Sequence, residues 1–196
     1  MVATSPRANV DQRALVERAK RGDHDAFEAL AGPAVSRLDA AARLILRDPE
    51  LAHDAVQEGF IRAWRNLPAL RDPDRFDAWL RRLLVNACLD IARRRRRRVI
   101  EVDLSPLDAS AGVDFATLIA DRDLLDGALG HLEPESRAIV VMHYYLGMPL
   151  PEVAATLGIP LGTAKSRLHR SLGVMRASIA GEEPHRHTPF LEGRPA

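Results

Sequence analysis

With one cysteine, Cys88, among 196 residues, the chain can build neither an internal disulfide nor a cysteine-rich zinc centre, which fits a reducing, cytoplasmic setting. Aromatic residues are scarce as well, at 5%. No apolar run approaches the roughly 20 residues that span a bilayer. The N-terminal stretch with Pro6, Arg7 and Asn9 lacks the apolar core of a secretory signal, so no membrane insertion is expected. Nor does the sequence offer a nucleophile paired with a base, a glycine-rich phosphate cradle or a metal-ligand spacing. His131 and His143 sit in helical stretches without evident carboxylate partners, and His169, His185 and His187 lack a preorganised arrangement for a metal. Neither enzymatic activity nor a metal or other cofactor is expected. Net charge is nearly missing too, at a formal +1. That balance conceals a segregation, because arginines gather in 81–98 and 165–176 while acids gather between them.

What remains is helical in character. Hydrophobic residues make up 46% of the chain, and alanine, leucine and arginine, all good helix formers, dominate. Length and composition suit small helical modules rather than a sheet-rich enzyme. The stretch 76–98 is the most informative. Phe76, Trp79, Leu80, Leu83, Leu84, Ala87 and Ile91 recur every three or four residues and lay an apolar stripe along one helix face, with Cys88 inside the apolar half. Trp79, Arg82, Asn86, Asp90 and Arg93 form a second row at its edge, where an amide and a carboxylate can face a ligand. The helix then enters six consecutive arginines at 93–98, whose mutual repulsion a nucleic-acid backbone would relieve. Basic runs also serve as solvated helix ends or targeting signals, so the rest of the chain must decide.

In chain order, residues up to about 10 read as a loose leader, and Asp11 is expected to cap a short helix carrying Leu15, Val16 and Ala19. Gly22 closes it and Asp23 caps the next, in which Gly32 and Pro33 should kink or break the rod. Asp48 and Pro49 start a third helix. Over 50–67, Ala52, Ala55, Val56, Phe60, Ala63 and Leu67 point inward, leaving Asp54, Gln57, Glu58, Arg62 and Arg65 on an outer face. Such faces are most often simply solvated. Residues 68–75, with two prolines, read as a loop. From 99 to 117 the composition is that of a flexible linker with an acidic bias, carrying Glu101, Asp103, Asp108 and Asp114. Helical signals resume near Leu118, and Pro134 opens a further helix. The expected organisation is all-α, with domains at 11–98 and 118–179 and a tail at 180–196 that shows no sustained period and reads as disordered.

The last compact unit fits a helix-turn-helix. Glu152, Val153 and Ala154 belong to its first helix, Gly158 supplies the turn, and Ala164, Leu168, Leu172 and Met175 face inward on the second. Thr163, Lys165, Ser166, Arg167, His169 and Arg170 then lie at or near the outward face, as donors suited to phosphates and base edges. A bundle hairpin with a wet basic face would show the same pattern.

Taken together, three segments in this order resemble the bacterial RNA polymerase sigma factors of the extracytoplasmic-function group. They are Asp54-Ala55-Val56-Gln57-Glu58-Gly59-Phe60-Ile61-Arg62-Ala63-Trp64-Arg65, then Trp79-Leu80 followed by Asn86, Asp90 and Arg93, and finally Glu152-Val153-Ala154 leading into Gly162-Thr163-Ala164-Lys165-Ser166-Arg167-Leu168. The resemblance covers about 11–179. It implies a promoter-specificity subunit that binds core RNA polymerase and promoter DNA, duplex and single-stranded, under the control of an anti-sigma factor. Asp54, Gln57, Glu58, Arg62 and Arg65 become candidate polymerase contacts. Loop 68–75 and Asn86 match the part that captures a flipped base of the element nearest the start site, with Asp90, Arg93, Arg94 and Arg97 beside it. Thr163, Lys165, Ser166, Arg167, His169 and Arg170 match the reader of the upstream duplex, and the acidic linker matches a segment that enters the polymerase cleft. Ala164 departs from the pattern, standing where a larger β-branched residue is usual. A free-standing helix-turn-helix regulator is the alternative, although no heptad or other dimer face is apparent.

Overall fold

The computed structural model describes residues 6–101 and 119–181; the expected linker from residue 102 on and the tail beyond residue 181 fall outside them. Five helices form the first half: α1 (Pro6–Lys20), α2 (His24–Ala31), α3 (Val35–Leu46), α4 (Pro49–Asn66) and α5 (Phe76–Glu101). Helix α1 begins five residues earlier than the expected cap at Asp11, with Pro6 in its first turn, where a missing N–H leaves no bond unmade. Gly22 at φ 92° ends the segment, and the Asp23 carboxylate accepts from the Ala26 amide at 3.0 Å to start α2. A 3₁₀ turn at Gly32–Ala34 separates α2 from α3, so the rod breaks at the proline. Asp48 caps α4 through the amides of Glu50 and Leu51, each at 3.1 Å.

Close packing of α4 on α5 has a visible cause in the sequence. Ala52, Ala55, Gly59 and Ala63, spaced by three and four, are the buried residues of α4. A Cβ on Gly59 would sit 3.3 Å from the Leu84 Cα, so only glycine lets the axes approach this far without a shift. From α5, Phe76, Leu80, Leu84, Val85, Cys88 and Leu89 fill the facing core. The few aromatic rings gather at one end: Phe27 meets Phe76 edge-on at 6.5 Å and Trp64 at 5.2 Å, while His24 stacks on Trp64 at 4.3 Å. Helix α5 runs through the whole arginine stretch to Glu101, three residues past the expected boundary at 98, and its 26 residues span about 39 Å.

The second half contains α6 (Ile119–Gly130), α7 (Pro134–Val140), α8 (Leu150–Leu157) and α9 (Leu161–Ile179). Between α7 and α8 the expected α-helical continuation widens into a π-helical turn, Val141–Tyr145. The Leu146 amide reaches back five residues to the Val141 carbonyl at 2.9 Å, and the Met148 amide reaches Met142 at 2.9 Å. Met142, Leu146 and Met148 all lie in the core, at 0%, 0% and 1% exposure. Helices α8 and α9 form the helix-turn-helix, with Gly158 at φ 65° in the turn and Ala154, Ala164 and Leu168 buried between them.

The two halves share one continuous hydrophobic core. Arginine donors cross between them and cap helix ends on the other side. Arg137 of α7, 8% exposed, donates through Nη1 to the Ile45 carbonyl at 2.8 Å and through Nη2 to Leu132 at 2.7 Å. In the opposite direction Arg37 donates to the Tyr145 carbonyl at 2.8 Å and Arg81 to the Leu146 carbonyl at 2.9 Å. Burial, helped by the nearby charge of Arg47, pulls the Arg137 guanidinium down to about 10. Its Nε is the buried polar side-chain atom left without a partner among the described residues.

Candidate functional site

The outer row of α4 is less uniform than its spacing suggests. Asp54, Gln57 and Arg65 are exposed, but Glu58 and Arg62 are half-buried. Arg62 donates to Glu58 one turn back at 2.8 Å and to Asp90 on α5 at 2.8 Å, an arrangement that raises its pKa through Asp90 first and Glu58 second. Glu58, Arg62 and Asp90, which the sequence assigns to two different surfaces, are therefore one ion-pair network joining two helices. Glu58 keeps its place on the outer face with its side chain 41% exposed, and the carboxylate that α5 presents to Arg62 is what periodicity within α4 cannot reveal.

Above the network, α4 and the end of α5 enclose an open groove of about 760 Å³. One wall carries Asp54, Gln57 and Glu58; the other carries Arg94, Arg95 and Arg98. Arg95 reaches the Asp48 carboxylate, the cap of α4, at 3.2 Å. The arginine run is thus partly compensated by acids before any ligand arrives. Arg93 lies 3.7 Å from both Asp90 and Glu135, the latter on α7, and Arg94 donates to the Asp90 carbonyl at 3.3 Å. Arg97 is exposed.

Asn86 is half-buried on α5, and its amide makes no hydrogen bond among the described residues while remaining reachable by solvent. That is the state of a group able to read a ligand edge, with both donor and acceptor uncommitted. Trp79 packs partly into the core near Phe76, at 6.0 Å between rings, and its indole belongs to the fold more than to a surface. The loop before α5 is ordered by two 3₁₀ turns, Leu67–Ala69 and Pro73–Arg75. Leu67 and Leu70 anchor it in the core at 0% and 7% exposure, and Asp72 caps the second turn through the Asp74 amide at 3.1 Å.

On the helix-turn-helix, Lys165, Ser166, His169 and Arg170 stand exposed along one side of α9, and Thr163 and Arg167 are half-exposed beside them. The Ser166 hydroxyl donates to the Thr163 carbonyl at 3.0 Å, while the Lys165 and Arg170 side chains have no ion-pair partner among the described residues. Arg167 shares a cavity of about 440 Å³ with Arg93, Arg96, Glu133 and Glu135, so the two basic helices approach each other there. Arg37, Arg47, Arg81 and Arg137, which join the halves, carried no sequence signal, since their partners are backbone carbonyls or lie far along the chain.

Residues 34–98 match the family model for Sigma-70 region 2, and residues 122–173 match that for Sigma-70, region 4. The RNA polymerase sigma-E factor of Streptomyces avermitilis is 32% identical over 157 residues, covering 80% of this chain and 87% of that protein. The chain belongs to the extracytoplasmic-function sigma factors. A further relative, the ECF RNA polymerase sigma factor SigW of Bacillus subtilis, is 26% identical over 177 residues, covering 84% of this chain and 94% of the relative. Among solved structures, CnrH in complex with the cytosolic domain of CnrY aligns with a TM-score of 0.62 and 29% identity over 88% of this chain and 99% of that one. This sigma factor is accordingly a promoter-specificity subunit that binds core RNA polymerase and directs initiation, and the free-standing regulator is not favoured. Sigma factors are non-enzymatic regulatory subunits. No helix among the described residues is long and apolar enough to cross a membrane.

Proposed function

We propose a division of labour among three faces of this sigma factor. Asp54, Gln57 and Arg65, with the Glu58 and Arg62 edge behind them, form the docking face for the polymerase clamp. Asn86 and loop 68–75 take up an unstacked base of the promoter element nearest the start site, while Arg93, Arg94 and Arg97 hold the adjacent backbone and Asp90 orients Arg62 and Arg93. Thr163, Lys165, Ser166, Arg167, His169 and Arg170 read the upstream duplex. The domains responsible are 11–98 and 118–179; the linker at 99–117 enters the polymerase cleft, where its acids imitate a transcript, and the tail at 180–196 lies outside the common core. The protein works in the cytoplasm, and an anti-sigma factor is its regulator, in keeping with the CnrH complex.

The uncommitted Asn86 amide, held on a packed helix beside a row of arginines, carries this reading. Extracting a base costs a few kcal/mol, so the pocket must supply both a rigid hydrogen-bonding group and cations that retain the strand. Asn86→Ala should change which promoters open, as read by permanganate footprinting of reconstituted holoenzyme on a promoter set. Unaltered opening across the whole set would remove Asn86 from the pocket.

A further inference from the structure

Helix α1 precedes the stretch that matches Sigma-70 region 2, which begins at residue 34. Nevertheless it touches the loop that the proposed reading makes the base pocket. Its inner side is fixed: Val16 is 0% and Ala19 3% exposed, with Leu15 packed against the same core. From this anchored helix two consecutive side chains reach 61 positions along the sequence. Gln12 Nε2 donates to the Pro73 carbonyl at 3.0 Å. Arg13 grips both carboxylate oxygens of Asp74, through Nε at 2.6 Å and through Nη2. The Arg13 hydrogen bond holds the Asp74 carboxyl below the usual carboxylate range, so the pair is ionised at neutral pH.

The positions of these contacts matter. Leu67 and Leu70 fix the start of the loop, and the buried ring of Phe76 fixes its end. Pro73 and Asp74 lie between, in the 3₁₀ turn that delivers the chain to α5. Within the turn, the Asp74 amide donates to the Asp72 carboxylate at 3.1 Å, the Arg75 amide to the Asp72 carbonyl at 3.1 Å, and the Phe76 amide to the Pro73 carbonyl. Among the described residues, the side-chain hydrogen bonds that tie this turn to another helix come from α1.

We propose that α1 is a positioning element for promoter reading: Gln12 and Arg13 hold loop 68–75 in the shape that receives the flipped base. The inference rests on the assignment of that loop and Asn86 to base capture. A preorganised loop does not have to be ordered when the base enters, so its bracing acts on discrimination between bases rather than on attachment to the backbone. Removing these two surface-edge polar interactions, one part-buried and one exposed, corresponds to about a fivefold effect.

The test uses full-length protein assembled with core RNA polymerase. Binding of single-stranded oligonucleotides bearing the element nearest the start site, with each of the four bases at the captured position, is measured for the parent, for Gln12→Ala with Arg13→Ala, for Arg13→Asp, for Asp74→Arg, and for Arg13→Asp with Asp74→Arg. The double alanine variant should lose about fivefold in discrimination between best and worst base, with core affinity, salt slope and urea midpoint close to the parent. The charge-swapped pair should recover what each single reversal loses. An equal loss for all four bases would make α1 merely structural and overturn the proposal. So would unchanged discrimination in every α1 variant alongside altered preference in Asn86→Ala, an outcome that leaves base capture standing. If neither set alters preference, base capture fails and the bracing role fails with it.

Discussion

Helices α5 and α9 each place an apolar stripe against the core and a basic row outside, yet their cations are in different states. On α5, Arg81 and Arg94 donate to backbone carbonyls, Arg93 sits between Asp90 and Glu135, and Arg95 pairs with Asp48. On α9, Lys165 and Arg170 stand clear of any carboxylate among the described residues. The difference comes from the neighbours. Helix α4 presents acids to the end of α5, and α7 adds Glu135, whereas on α9 only Arg167 turns toward those acids and Lys165 and Arg170 face away. A strand binding along α5 must exchange existing ion pairs, each worth about 0–1 kcal/mol, while a duplex meeting α9 displaces only water and counterions. Under the proposed division of labour, single-strand binding is conditional and duplex reading is ready in advance.

The most buried cation tests the comparison most severely. Arg137→Ala leaves the Ile45 and Leu132 carbonyls without their charged donor and opens a void between the halves. A loss of about 2–4 kcal/mol is expected. Trp64 and Trp79 both lie in the first half, so tryptophan fluorescence and far-ultraviolet circular dichroism should give separate urea transitions in the variant and one shared transition in the parent. Coincident, unshifted transitions would show that this arginine does not couple the halves.

On α9, Arg170→Ala should cost about 1–3 kcal/mol at one upstream position if it reads a base. Lys165→Ala, as a phosphate contact, should weaken all sequences alike and lower the salt slope by about 0.9. Equal affinities for parent and both variants at every salt concentration would remove α9 from duplex reading.

The buried sides differ as well, because α9 hides a hydroxyl satisfied by the Arg167 carbonyl at 2.8 Å and α5 hides the Cys88 thiol. Burial pushes that thiol up to about 12. The unfolded chain releases its proton near pH 8.5, and the native chain does not, so the stabilisation is complete below the unfolded value and drains away as pH rises. Between pH 9 and 10, Cys88 should contribute a fall in stability approaching about 1.4 kcal/mol per pH unit, partly offset by Arg137, which is pulled down to about 10 and so releases its proton earlier in the folded chain than in the unfolded one. Cys88→Ala should flatten that slope; an identical slope in the two proteins would refute the assignment.

The smallest effect should make α5 behave more like α9. Asp90→Asn together with Glu135→Gln frees Arg93 from both of its carboxylates and leaves Arg62 paired with Glu58 alone. Binding of non-specific single-stranded oligonucleotides to the holoenzyme should strengthen by about 0.5–1 kcal/mol, with the gain shrinking as salt rises. A gain that persists at high salt would point to a change of shape instead of charge.

Local chemistry alone was enough to read the helices. Asp23 and Asp48 cap, Pro33 breaks, Pro134 opens, Gly158 turns, and the periods of α4, α5 and α9 separate inward from outward residues, because each of these effects acts within one or two turns of the chain. The early start of α1 at Pro6 escaped because a capping aspartate downstream was the stronger local signal. The π-helical turn escaped for a different reason: no residue type in 141–145 marks it, and its place coincides with the burial of Met142, Leu146 and Met148 in the core. Tertiary structure alone decided which charges meet. Arg62 finds Asp90 across 28 positions, Arg13 finds Asp74 across 61 and Arg137 finds Ile45 across 92. An arginine on an outward face looks the same in sequence whether its neighbour is water, a carboxylate on the next helix or the open end of a distant one, and only packing brings those partners within hydrogen-bond reach.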